Sequence, residues 1–424
     1  MRSKTHIEVP KFLPWLMWGL GALFYCYGFF QRVAPSVMVG ELMRDFAVGG
    51  AITGMLSALY FYTYASLQIP VGIMLDRLGP RLMLTVAAAL CAAGSFVFAT
   101  AESINVAYLG RALIGLGASV TWVGTLKLAS LWFPPKRFAL LTGLTMAAGM
   151  AGAVGGQAPL AAMVTTLGWR GTLIAAAGLG IALALAIWLI VRDQGPMSPT
   201  APKPQEAGHG LLAGLKAALA EPQTYLTGFY SFTLVGPILS FAGLWGVPYM
   251  MSIYGLDRPN AAIATSVMMI GWGIGSPILG WFSDHVGRRK PPMYLATVGS
   301  LLSMAFWLYV PGLPLWSIYP LFFLSGVLAG GIVMTFATAR EHNPPWASGA
   351  TLGFVNMCTM AGGAVFQPLV GWLLDLNWDG TMVNGMRIYS AEAYASAFIV
   401  FPISHAASLI TVFFIRETWC KQVK

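Results

Sequence analysis

Gly72-Ile-Met-Leu-Asp76-Arg77-Leu-Gly79-Pro80-Arg81 returns half a chain later as Gly280-Trp-Phe-Ser-Asp284-His285-Val-Gly287-Arg288-Arg289-Lys290. The shared Gly, Asp and Gly keep one offset, Asp76 and Asp284 being 208 positions apart in a chain of 424. Each copy closes one long apolar stretch and opens the next. A charged hairpin at the same internal place in two halves implies internal duplication, the organisation of carriers built from repeated helix bundles.

Composition puts both halves in a membrane. The chain is 57% hydrophobic and 9% charged, with a mean hydropathy of +0.71, whereas soluble domains carry about 25% charged residues. So much apolar surface has no place in water. A transmembrane helix needs about 20 mostly apolar residues, and such runs fill most of the sequence. Closed barrels also span membranes but alternate polar and apolar positions; Ile181 to Val191, IALALAIWLIV, does not. The chain reads as an all-α integral membrane protein. Its first apolar run begins at Phe12 behind Arg2, Lys4 and Lys11. That run is too long for a signal peptide, lacks a small-x-small cleavage site and leads into further spans, so it is read as a retained helix. Cys26, Cys91 and Cys358 fall in apolar segments and Cys420 in the tail, without metal-site or disulfide spacing.

Charged and Pro/Gly-rich punctuation divides the chain into twelve spans. They run roughly over 13–41, 51–75, 82–100, 105–131, 138–163 and 172–191, then 225–253, 260–283, 292–311, 315–338, 347–374 and 393–415. The expected organisation is an N-terminal six-helix bundle (1–191), a cytoplasmic linker with a short surface helix at Leu211 to Leu219 (192–221), and a C-terminal six-helix bundle (222–424). With the N-terminus cytoplasmic, 17 of the 24 Lys and Arg residues face the cytoplasm, 4 face the far side and 3 lie within spans. The positive-inside rule therefore places both termini in the cytoplasm. The net charge of +9 follows from this sorting, and no nucleic-acid partner is needed to explain it.

Gly72 and Gly280 are expected to let helices approach closely, and Gly79 and Gly287 to form the tight turn. Asp76 and Asp284 fall at helix C-termini, where the dipole disfavours a carboxylate unless it is paired. Nearby Arg or Lys residues, or a neighbouring helix N-terminus, are the expected partners. One copy alone reads as a solvated turn. Two copies in register read as a gating latch that includes Arg77, Arg81 and Arg288.

The chain thus resembles the major facilitator superfamily, whose loop motif G-x-x-x-D-x-x-G-[RP]-[RK] it carries twice. A second family motif, R-x-x-x-G-x-G, stands in the fourth span as Arg111-Ala-Leu-Ile-Gly115-Leu-Gly117. Phe133-Pro134 with Arg137, and Gly168-Trp169-Arg170, are familiar family punctuation. The resemblance covers all twelve spans. It implies two six-helix bundles, each of 3+3 inverted repeats, working by alternating access around a central cavity. It also implies that Arg111 and Gly115 act on conformation. The fifth span departs from the G-x-x-x-G-P-x-x-G-G pattern of drug-exporting antiporters: Gly149-Met-Ala-Gly152-Ala-Val-Gly155-Gly156-Gln157 keeps glycines but lacks the proline.

Charges inside a span are costly and point to function. Arg32, within Tyr25-Cys26-Tyr27-Gly28-Phe29-Phe30-Gln31-Arg32-Val33-Ala34-Pro35-Ser36, resembles the first-helix arginine of anion-transporting branches, aromatic-x-x-R-x-x-x-S. A guanidinium in a low-dielectric cavity suits a carboxylate, which it holds through two parallel hydrogen bonds. The blander reading has Arg32 snorkelling to the outer surface. Lys127 is expected to snorkel inward. None of the 15 acidic residues falls at the centre of a span, leaving His405 as the candidate proton relay, although a lone His on an apolar helix is more often a packed neutral imidazole. Tyr27, Tyr64, Gln68, Asn356 and Gln367 complete the substrate-binding candidates, with Tyr64 and Gln68 one turn apart on a shared face. Arg340-Glu341-His342-Asn343 reads as a cytoplasmic gate or solvated turn.

The expected function is secondary active or facilitative transport of a small carboxylate-bearing metabolite, an organic acid, amino acid or short peptide. The expected setting is a bacterial inner membrane, and the resemblance is closer to small-metabolite carriers than to drug exporters. Two alternatives stand beside it. Efflux of a drug or siderophore by proton antiport would suit the 22 methionines and 13% aromatic content; a non-transporting membrane sensor is the other. No Walker motif, H-E-x-x-H or nucleophile elbow appears, so neither an enzyme nor ATP hydrolysis is expected. No cofactor is expected. The expected partners are a small-molecule substrate, the lipid bilayer and a candidate co-transported proton, with the chain acting as a monomer.

Overall fold

The computed structural model describes residues 10, 12–197 and 211–423. Arg2, Lys4 and Lys11 and the proline-rich middle of the linker lie outside the described residues.

Apolar runs become helices in the order the hydropathy sets. Among the described residues, ten segments are long and apolar enough to cross a membrane. One of them, Leu140–Ile190, has 51 residues, more than twice what a single crossing needs. It reverses at Gly168, whose φ of 70° lies in the left-handed region, and so supplies the fifth and sixth spans. The second span is Gly50–Ser66 followed by Gln68–Leu78, which completes twelve crossings.

The first span is shorter than expected. Leu13–Val33 passes into a 3-10 turn, Ala34–Val37, around Pro35, which has no N–H to continue the ladder. A separate short helix, Val39–Asp45, then runs at 115° to Gly50–Ser66. Comparable breaks recur every three spans. The fourth is split between Ile104–Ala118 and Thr121–Trp132, the seventh winds into a π-turn at Phe241–Trp245, and the tenth tightens at Gly330–Ile332. The leading helix of every group of three is interrupted, and so are the second span at Leu67 and the twelfth between Ala397 and Val400. The helix Leu211–Ala220 follows the linker, and a two-stranded ribbon, Met382–Val383 paired with Met386–Arg387, joins the last two spans.

Small residues set how closely helices pack. A Cβ on Gly54 would lie 2.6 Å from the Cα of Pro368, and one on Gly50 2.6 Å from the carbonyl oxygen of Gly371. The second and eleventh spans therefore meet backbone to backbone, joining the two halves. Gly115 does the same for the fourth and second spans, a Cβ there standing 2.8 Å from Tyr60 Cα. The expectation for Gly72 and Gly280 is corrected. Nothing lies within 4 Å of a Cβ at Gly72, and the nearest atom to one at Gly280 is Val333 Cγ2 at 3.6 Å, so neither position is a close approach. Gly79 and Gly287, at φ 79° and 69°, do make turns that only glycine enters freely.

Candidate functional site

Arg32 ends the first helix but reaches back into the bundle. Its guanidinium carbon sits 4.0 Å above the Phe29 ring, 5.3 Å from Tyr64 and 5.5 Å from Tyr60. Nε donates to Tyr60 Oη at 3.4 Å, and Tyr60 in turn donates to Gly28 O. Tyr60 and Tyr64 lie deep within the segment running from Gly50 to Leu78, far from either face. Snorkelling therefore does not describe Arg32. The residue is 4% exposed, and among the described residues no carboxylate pairs with it. On the other side of Tyr60, at 5.3 Å from its ring, stands Arg111, fully buried. Arg111 donates to the carbonyls of Gln31 at 2.8 Å and Ser57 at 3.4 Å, so it ties the first two spans together at the level of Arg32.

The other sequence candidates divide. Tyr64 belongs to the aromatic wall around Arg32. Gln68 accepts from Asn356 Nδ2 at 3.0 Å, one residue from each half. The Tyr27 hydroxyl receives Gln31 Nε2 at 2.7 Å and donates to Ala176 O at 2.9 Å. It thus points toward the third and sixth spans, inside the N-terminal half. Gln367 is fully buried with its amide on Leu239 O, its Oε1 unpartnered among the described residues and its carbonyl taken by Trp245 Nε1. It packs in the seam between the seventh and eleventh spans. His405 is buried with Nδ1 2.9 Å from Phe401 O on its own helix, and no acidic residue bonds to it among the described residues.

Polar links between the halves gather on the face opposite the two hairpins. The Asp375 carboxylate caps the second span across the interface, accepting from Gly50 N at 2.8 Å and Ala51 N at 2.9 Å. Tyr389 and Arg387 hold that carboxylate at 2.7 and 3.1 Å. Arg258 pairs with Glu41. Deeper in, Gln157 fills the gap between Gly155 and Ala158, donating to Ala242 O at 2.6 Å and accepting from Thr265 at 2.9 Å.

At the first hairpin, Lys127 Nζ donates to Asp76 at 2.7 Å, with the two side chains 35% and 61% exposed. The partner expected nearby comes instead from the fourth span, and Lys127 is engaged with a carboxylate as well as reaching for the surface. Arg77 makes no ion pair among the described residues. Arg81 lays its guanidinium 4.3 Å above Trp188, donates Nε to Trp188 O, and gives its backbone N–H to Asp193. At the second hairpin the cation paired with Asp284 is Arg289, while Arg288 stands 3.9 Å from Glu417. Arg289 bonds Asp284 at 2.7 Å and Glu341 at 2.6 Å, and Glu341 also accepts from Thr418 at 2.5 Å. Arg289 and Glu341 side chains are only 10% and 6% exposed, so the stretch 340–343, the end of the helix Val333–His342 and its cap, is not a solvated turn. Burial opposes the Arg289 charge, but Glu341 and Asp284 outweigh it and hold the guanidinium above its ordinary pKa. Burial likewise opposes ionisation of Glu417. Backbone N–H groups of Arg289, Lys290, Trp419 and Thr418 win, holding its carboxyl below the usual range.

Asp193 and Glu417 went unnoticed in the sequence, although a signal exists. Each sits three residues beyond the last helix of its half, which ends at Ile190 or Phe414, in Val191-Arg192-Asp193 and Ile415-Arg416-Glu417. Each accepts the backbone N–H of the corresponding hairpin arginine, Arg81 and Arg289, at 2.8 Å.

A family model described as Major Facilitator Superfamily matches residues 20–366 and 240–419. The chain belongs to the major facilitator superfamily. It is 25% identical to the membrane sensor protein UhpC of Escherichia coli, over 91% of this chain and 90% of that protein. It is 23% identical to a gallate transporter of Pseudomonas putida, over 92% of each. In fold it is similar to a bacterial homologue of the human lysosomal transporter Spinster in an inward-facing, unoccupied conformation. The TM-score there is 0.75 at 16% identity, over 96% of both chains. As a superfamily member the chain is a multi-pass membrane protein and not an enzyme, and relatives such as the gallate transporter carry small molecules.

Proposed function

We propose that this superfamily member carries a small carboxylate-bearing metabolite, an organic acid, amino acid or short peptide, by alternating access, with Arg32 as the carboxylate-binding residue. The observation that carries this reading is the buried Arg32 guanidinium, walled by Phe29, Tyr60 and Tyr64 without a carboxylate partner among the described residues. A buried unpaired charge is expensive. Aromatic faces return only about 0.5–2 kcal/mol, whereas a bound carboxylate supplies the missing charge through two parallel bonds. The relative named as a gallate transporter has a carboxylate cargo by name, which supports the class. The reading extends to units 1–191 and 222–424 rocking about the linker 192–221, with the hairpins as latches on the cytoplasmic face and both termini beside them. His405 takes a packing role in it, so uniport and exchange stand level with proton coupling.

The test is uptake of labelled organic acids, amino acids and dipeptides into proteoliposomes, with and without a pH gradient. Arg32→Lys should raise KM for the transported acid by about 10–100-fold, the loss of one bidentate charged pair. Unchanged uptake by Arg32→Ala would sink the carboxylate reading. Proton dependence abolished in His405→Ala would make His405 a relay, and drug resistance without metabolite uptake would favour export. Similarity to UhpC favours a second reading, a membrane sensor, for which acid binding would persist with no uptake at all.

A further inference from the structure

On the hairpin face, an open groove of about 540 Å³ runs between the start of the ninth span and the end of the twelfth. Arg288, Lys290 and Arg416 supply its cations, and Tyr294 and Phe413 its apolar floor. The two rings meet edge to face with centroids 5.4 Å apart, and Phe413 is 65% exposed in the last turn of the last span. The floor therefore runs out onto the lipid-facing surface, while the cations stand above it at the membrane boundary.

These cations are poorly spent. The groove's one carboxylate, Glu417, is engaged by the backbone N–H groups of Arg289 and Lys290 at 2.8 and 3.0 Å. Arg288 stands 3.9 Å from it and lies over the Trp419 ring. Among the described residues Lys290 Nζ reaches only the carbonyl of Phe413, at 3.2 Å. Among the described residues the Arg416 guanidinium has no hydrogen bond or ion pair. The duplicated site in the other half differs. There Arg81 is laid on Trp188 and bonded to its carbonyl, and Arg192 donates to Leu189 O and Val191 O. Its cations are satisfied within the protein.

We propose that the groove between the ninth and twelfth spans binds the headgroup of one anionic phospholipid from the leaflet at the hairpin face. Arg416 and Lys290 hold the phosphodiester, with Arg288 beside them, and the glycerol and first acyl carbons lie on Phe413 and Tyr294. Basic pockets between transmembrane helices recognise anionic headgroups in this way. A soluble phosphate shares the headgroup's chemistry, but the apolar floor opening toward lipid selects the amphiphile.

The test is native mass spectrometry of the full-length purified chain in detergent, with dioleoylphosphatidylglycerol or dioleoylphosphatidylcholine added. One phosphatidylglycerol per chain should survive activation that strips phosphatidylcholine. At about fivefold per basic residue, Lys290→Gln with Arg416→Gln should weaken its retention about 25-fold. Arg416→Gln alone should cost about fivefold and provides the readout if the double variant does not fold. Lys136→Gln with Arg340→Gln, which removes equal charge elsewhere on the same side, should change nothing. Equal retention of the two lipids, or unchanged retention in both groove variants, would overturn the proposal. So would displacement of phosphatidylglycerol by millimolar inorganic phosphate, which marks a soluble-anion site.

Discussion

At the hairpin after the second span, Asp76 meets one cation, Lys127, in a solvent-accessible pair whose carboxylate side chain is 61% exposed. At its copy after the eighth, Asp284 is the exposed end of a chain of contacts running through Arg289 to Glu341 and Thr418. The same Gly–Asp–Gly signature thus sits in two energetic regimes. An exposed pair contributes about 0–1 kcal/mol and is screened by salt, so breaking it is cheap. Breaking a buried pair by removing one partner costs about 3–5 kcal/mol, because the remaining charge is left uncompensated. The tail reinforces the difference, since Val423 N donates to Glu341 O and Glu417 caps the ninth span. If both hairpins are latches, the first is the one built to open readily. On that condition the second is the one that holds.

Breaking the buried side should have the largest effect. Glu341→Gln leaves Arg289 with only the exposed Asp284 and should destabilise the protein by about 3–5 kcal/mol, read as a lowered midpoint of thermal unfolding in detergent. A midpoint equal to wild type would mean the two hairpins are alike. Acid should come next. The Glu417 carboxyl is held below its ordinary value of 4.5, so its contribution is complete above that pH and is lost as pH falls through the lower folded value. Protease cleavage of the tail beyond Ile415 should therefore accelerate below about pH 4.5, and Glu417→Gln should be cleaved at that rate already at neutral pH. Insensitivity of cleavage to pH would remove Glu417 from the clasp. The smallest effect belongs to Asp76→Asn, which should shift stability by no more than about 1 kcal/mol. A loss as large as that of Glu341→Gln would erase the contrast.

How far the sequence reached differs between fold and site. The hairpins, their positive-φ glycines and the twelve crossings were legible because each rests on local composition. The partners of the two aspartates were not. Lys127 is 51 positions from Asp76 and Arg289 only five from Asp284, and no shared spacing predicts both. Tyr27 and Tyr64 looked alike as aromatics in apolar helices, yet one hydroxyl is spent between the third and sixth spans while the other ring walls Arg32. Gly72 carried the motif without the close approach, which Gly50, Gly54 and Gly115 make instead. The paired Asp193 and Glu417 needed a comparison of the two half-ends, where the offset of the hairpins no longer applies.

By itself the sequence determined a helical membrane protein of two related halves, with both hairpins on one face. Hydropathy, charge sorting and repetition are additive along a chain and survive without coordinates. Only the tertiary structure decided which side of each helix meets which neighbour. It set Arg32 in an aromatic wall, Asp375 over the start of the second span, and Glu341 beneath the second hairpin. The physical reason lies in the solvent. In a bilayer the lipid-facing and protein-facing sides of a helix are both apolar, so periodicity does not mark the inner face. The rotation of each helix is settled by small residues packing against backbone and by polar side chains finding partners.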